Sequence, residues 1–73
     1  MNIEYEMAVV DKNGKNVGEI NHIVFDGWSG EPRKFMVRLD DNVSAVYFTP
    51  DNVDNVTEGK VTLNIGFEDL EQT

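Results

Sequence analysis

Cysteine is absent from the 73 residues, which excludes a disulfide staple, a thiolate metal site and a thiol nucleophile and suits a reducing compartment. Basic residues are scarce: six Lys and Arg stand against fourteen Asp and Glu, a formal net charge of -8. Such a surface repels phosphate backbones and anionic headgroups, so it disfavours direct nucleic-acid binding. It suits plain solvation, a basic protein partner or a salt-rich cytoplasm, and solvation is the simplest of the three. No apolar run approaches the roughly 20 residues of a membrane span. The first six residues carry Glu4 and Glu6 where a signal peptide carries positive charge. The expectation is a cytoplasmic protein without membrane insertion.

What is present reads as strand. Apolar residues recur mostly at period two, in short runs broken by Gly, Pro, Asn and Asp. A first strand is expected at Met7 to Val10, turned at Asp11 to Gly14, where Gly14 supplies positive φ. In the long second strand Ile20 points one way while Ile23 and Phe25 point the other. A bulge near Asn21 and His22 resolves the conflict, bending the strand so that the sheet curls. Asp26 to Pro32 form a loop in which the Asp26 carboxylate accepts backbone amides ahead of it.

In the third strand Phe35, Val37 and Leu39 share one face, and Lys34, Met36 and Arg38 the other. Asp40, Asp41 and Asn42 make the next turn. Two faces compete for the interior of the strand Ser44 to Thr49, Val46 with Phe48 or Val43 with Ala45 and Tyr47, and we choose the first. Thr49 before Pro50 predicts a short 3₁₀ turn from Thr49 to Val53, with Val53 and Val56 tucked under the barrel. Lys60 to Ile65 is the last strand, with Val61, Leu63 and Ile65 on one side. Phe67 and Leu70 suggest a short terminal helix or a frayed tail.

These residues resemble the PRC-barrel domain, named for the H subunit of the photosynthetic reaction centre and found also in a ribosome-maturation factor. The carriers are Asp11, Gly14, Val17, Gly18 and Ile20, then Asp26 and Gly30, Phe35 and Val37, the segment Phe48, Thr49, Pro50 to Val53, and Val61 with Leu63. Trp28, standing where such domains have a plainer turn residue, and the acidic tail are this chain's own. The resemblance implies a small β-barrel that docks or assembles, often as a dimer, and implies no enzymatic activity.

The expected fold is therefore all-β: a five- to six-stranded antiparallel PRC-type barrel, one domain over residues 1–73 with flexible ends at 1–6 and 68–73. Ile20, Ile23, Phe25, Phe35, Val37, Phe48, Val61 and Leu63 are expected to converge inside it.

Candidate chemistry is thin. His22 lacks an assured acid partner, and Ser29 and Ser44 lack the surroundings of an activated nucleophile. The acidic turns Asp40, Asp41, Asn42 and Asp51, Asn52, Asp54, Asn55 miss calcium-loop spacing. Lys15 stands where a third oxygen ligand of the Asp11 loop belongs, and turn chemistry explains all three clusters. No catalytic, cofactor or metal site is assigned. The contact candidates are Trp28, read either as a docking side chain or as a lid over the open end, and the outward Met36, Tyr47 and Val43. The expected function is a non-catalytic module docking a protein partner or itself as a homodimer. The alternative is a small-ligand or divalent-metal binder using the acidic turns.

Overall fold

The computed structural model describes residues 3–40 and 43–72. They form β1 (Ala8–Val10), β2 (Asn16–Phe25), β3 (Pro32–Arg38), β4 (Ala45–Phe48), a 3₁₀ turn at Pro50–Asn52, β5 (Val53–Thr57), β6 (Lys60–Leu63), a second 3₁₀ turn at Phe67–Asp69 and β7 (Glu71–Gln72). The protein is all-β in one sheet of order β5-β6-β1-β2-β3-β4-β7. Asp41 and Asn42, two residues of the expected Asp40 to Asn42 turn, lie outside the described residues.

Two features of the expected barrel are corrected. The strands number seven among the described residues, not five or six, and β1 pairs with β6 in parallel, so the sheet is not purely antiparallel. The hydrogen-bonded order leaves β5 and β7 as edges of an open sheet. β5 escapes the sequence pattern because Asp54 is an extra residue between the pairs Val53 with Leu63 and Asn55 with Thr62, which breaks alternation. β7 is two residues long and too short to show a period.

Alternation elsewhere dictates the core. Val9, Val17, Ile20, Ile23, Phe35, Val37, Val46, Phe48, Val61, Leu63 and Leu70 make one buried cluster. Five adjacent strands from β6 to β4 thus supply a single apolar centre, which requires the sheet to curl. Phe35 and Phe48 face each other across β3 and β4, stacked with ring centroids 4.9 Å apart. Val46 and Phe48 point inward as expected, and Tyr47 outward.

The expected bulge is present. Ile20 pairs with Val37 and His22 with Met36, leaving Asn21 as the extra residue, so Ile20 and Ile23 both reach the core. A second irregularity overturns the expectation for Phe25. Val24 pairs with Lys34 but Phe25 with Pro32, so Arg33 is the extra residue of the opposite strand. Phe25 is thereby turned out of the core and is 54% exposed.

Gly18 of β2 sits against the backbone of Arg38 at the end of β3. Its φ is +155°, and a Cβ there would lie 2.0 Å from the Arg38 carbonyl oxygen. Glycine is the residue that permits this approach.

Asp11 is the one buried charged side chain among the described residues. Its Oδ1 accepts the N–H groups of Asn13 and Lys15, each at 2.9 Å, and closes the β1–β2 turn. Burial pushes its carboxyl up, but the amides of Lys15, Phe67 and Asn13 and the Lys15 charge outweigh this and hold it below the ordinary value.

Candidate interaction surface

Because Phe35 and Val37 point inward, Lys34, Met36 and Arg38 point away from the core. Pairing then aligns His22 of β2 with Met36, Met36 with Tyr47 of β4, and Tyr47 with Glu71 of β7. Met36 and Tyr47 are half-buried neighbours in this outer row. Lys34 Nζ lies 4.6 Å from the centre of the Tyr47 ring and 2.9 Å from Glu71 Oε2. The row therefore has an apolar middle bordered by a cation held between an aromatic face and a carboxylate.

The β2–β3 connection carries Trp28. Asp26 Oδ1 accepts the Trp28 N–H at 2.8 Å, the Asp26 N–H donates to the Glu31 carbonyl at 2.8 Å, and the Gly30 N–H donates to the Asp26 carbonyl at 2.8 Å. Gly30 adopts a φ of +76°, which closes the turn. The backbone is thus tied down while the indole is 97% exposed. That exposure excludes the lid reading, since a lid buries one face of its ring.

The four contact candidates do not form one patch. Met36 and Tyr47 are direct partners, whereas Trp28 and Val43 occupy connections at opposite ends of β3. A seven-residue strand separates those ends by on the order of 20 Å. Val43 is 89% exposed.

A further feature escaped the sequence reading. Ile3, Glu31, Pro32, Phe35 and Pro50 line a recess of about 280 Å³ at the start of β3. No periodicity marks it, because its walls come from the N-terminal segment, the Trp28 loop, β3 and the first 3₁₀ turn. A proline at the start of a strand and another at the start of a 3₁₀ turn were the visible clues.

Two acidic turn residues have their carboxylates engaged locally. The carboxylates of Asp11 and Asp26 accept backbone amides of their own turns. Among the described residues no three His, Asp or Glu side chains are grouped to hold a metal. His22 is exposed, and its side chain makes no hydrogen bond or ion pair among the described residues. Ser29 Oγ accepts the Glu31 N–H at 3.3 Å, a turn contact with no base beside it. No helix among the described residues is long and apolar enough to cross a membrane.

Comparison with curated proteins yields no match. Comparison with protein families does: the PRC-barrel domain matches residues 5–70, from the segment before β1 to the core residue Leu70. That span covers β1 to β6 and nearly the whole chain, and on it the protein belongs to the PRC-barrel domain family.

Proposed function

We propose that this PRC-barrel domain is a non-catalytic docking and assembly module that engages a protein partner, or a second copy of itself, through Trp28 and the Met36–Tyr47 face. PRC-barrel domains in general serve interaction and assembly. The observation that carries the reading is the Trp28 indole, 97% exposed on a loop whose backbone Asp26 ties down. An indole offers roughly 200 Å² of contact area and an N–H donor. A fixed loop loses little freedom on binding, so that area contributes more fully to affinity.

Charge sets the conditions. With a net charge of -8, two copies repel at low salt, so self-association is expected to strengthen as salt screens them. The module works in the cytoplasm and needs no cofactor in this reading.

Trp28 is the only tryptophan, which makes its fluorescence a direct reporter. Sedimentation at micromolar concentration, repeated at low and high salt and on the Met36→Glu and Trp28→Ala variants, tests the homodimer. Association with a blue-shifted Trp28 emission, lost in Met36→Glu, supports pairing through this face. A strict monomer at every concentration removes the homodimer. Cross-linking in cells then decides the rest: a partner set that Trp28→Ala and Met36→Glu both leave intact removes the docking role of this face.

A further inference from the structure

We propose that the recess lined by Ile3, Glu31, Pro32, Phe35 and Pro50 is a second docking site, which takes an apolar side chain flanked by a lysine or arginine on an extended segment of a cationic protein partner. The proposal rests on the docking function above and names the chemistry of the partner at the recess beside the Trp28 loop.

Size decides the class of occupant. At about 280 Å³ the recess lies just below the roughly 300–1,000 Å³ of small-molecule sites, so it fits one or two side chains better than a cofactor. Four of its five lining residues are apolar, and three of them are held in place. Pro32 and Pro50 have fixed φ, and the Phe35 floor is stacked on Phe48. Such a cleft changes little on filling, which favours binding.

Charge decides the flank. Glu31 is the one charged residue in the lining. Its N–H is held by Ser29 Oγ, but its carboxylate makes no ion pair among the described residues, where Lys34 with Glu71 is the one pair. Arg33, the nearest cation in sequence, is exposed and does not pair with it. An incoming cation beside the apolar anchor meets this carboxylate, within the field of a molecule of net charge -8.

The test is titration of the ¹⁵N-labelled full chain with two capped tetrapeptides, acetyl-glycyl-leucyl-arginyl-glycinamide and its glutamyl counterpart, followed by amide chemical shifts. The expected result is saturable shifts at Ile3, Glu31 and Phe35, with the arginyl peptide binding about 1.5- to fivefold tighter, the range an exposed ion pair gives. Glu31→Gln is expected to erase that preference and leave the weaker apolar binding. Three results would each overturn the proposal: no shift at these residues up to about 10 mM peptide, equal affinity for both peptides, or shifts confined to the His22, Met36 and Tyr47 row. Trp28 and Glu31 share a loop, but the readouts differ: these results concern the choice of charge at Glu31, whereas the Trp28 and Met36 experiments above read association of the whole protein, so either reading can fail alone.

Discussion

The Asp11 carboxylate reaches the backbone of Phe67, 56 positions away: Oδ2 accepts the Phe67 N–H at 3.0 Å. Around that bond the Lys12 N–H donates to the Ile65 carbonyl at 3.1 Å, and Lys15 Nζ lies 4.5 Å from the centre of the Phe67 ring. The β1–β2 turn and the segment that delivers Leu70 to the core are thereby one unit. Truncating the carboxylate leaves amides of both parts without their acceptor.

Asp11→Asn keeps one acceptor oxygen but puts an NH2 donor in place of the other, so at least one of these amides loses its partner and stability is expected to fall, by an amount that depends on pH. The native carboxyl is held below its ordinary value of 3.8. A depressed native pKa contributes stability that is fully present above the unfolded value and is lost as pH falls through the native one. Urea midpoints of the two proteins are expected to differ most near neutral pH and to converge as pH falls below 3.8 and through the depressed native value. A difference that stays constant over this range contradicts the assignment of the charge to the clasp.

Two glycines allow a controlled comparison. At Gly18 an added Cβ meets the Arg38 carbonyl oxygen at 2.0 Å, and that backbone oxygen cannot rotate away. At Gly14, with φ of +81°, the same Cβ meets nothing within 4 Å. Gly14→Ala carries only the left-handed strain, about 1–2 kcal/mol. Gly18→Ala adds the displacement of β2 from β3 and is expected to cost about 2–4 kcal/mol in denaturant titration. Equal losses at the two sites would show that β2 and β3 yield at this point.

What could be seen in the sequence follows from the range of each signal. Ile20 and Ile23 cannot share one face of a flat strand, so the Asn21 bulge was legible within four residues. The Pro50–Asn52 turn was legible from Thr49 and Pro50, and the Thr49 N–H indeed donates to Asn52 Oδ1 at 2.9 Å. Phe25 was misread because its rotation is caused by Arg33 on the opposite strand, information that alternation within β2 does not contain. The parallel β1–β6 pairing and the Asp11–Phe67 bond join distant segments and leave no local mark. Of the candidate surface, the outward direction of Met36 and Tyr47 was readable from alternation. The recess, assembled from separate segments, was not.

The cation on the outer face is expected to contribute little to folding. Lys34 and Glu71 are 37% and 63% exposed, so solvent screens their attraction. A double-mutant cycle of Lys34→Ala and Glu71→Ala is expected to give a coupling of about 0.2–1 kcal/mol, reduced by salt. A coupling well above that range would mean that β7 is held to β4 chiefly by this pair.

Trp28 and Phe35 separate docking from folding. Phe35 is 2% exposed and stacked on Phe48, so Phe35→Ala removes a buried ring and is expected to cost about 3–5 kcal/mol. In a small domain that loss leaves little folded protein. Trp28 is 97% exposed, and its loop is closed by backbone and Asp26 contacts that an alanine keeps. Trp28→Ala is expected to shift stability by less than about 0.5 kcal/mol. A stable, folded Trp28→Ala protein that no longer associates therefore locates the indole's role in contact with another molecule, whereas a large loss of stability would place it in the fold.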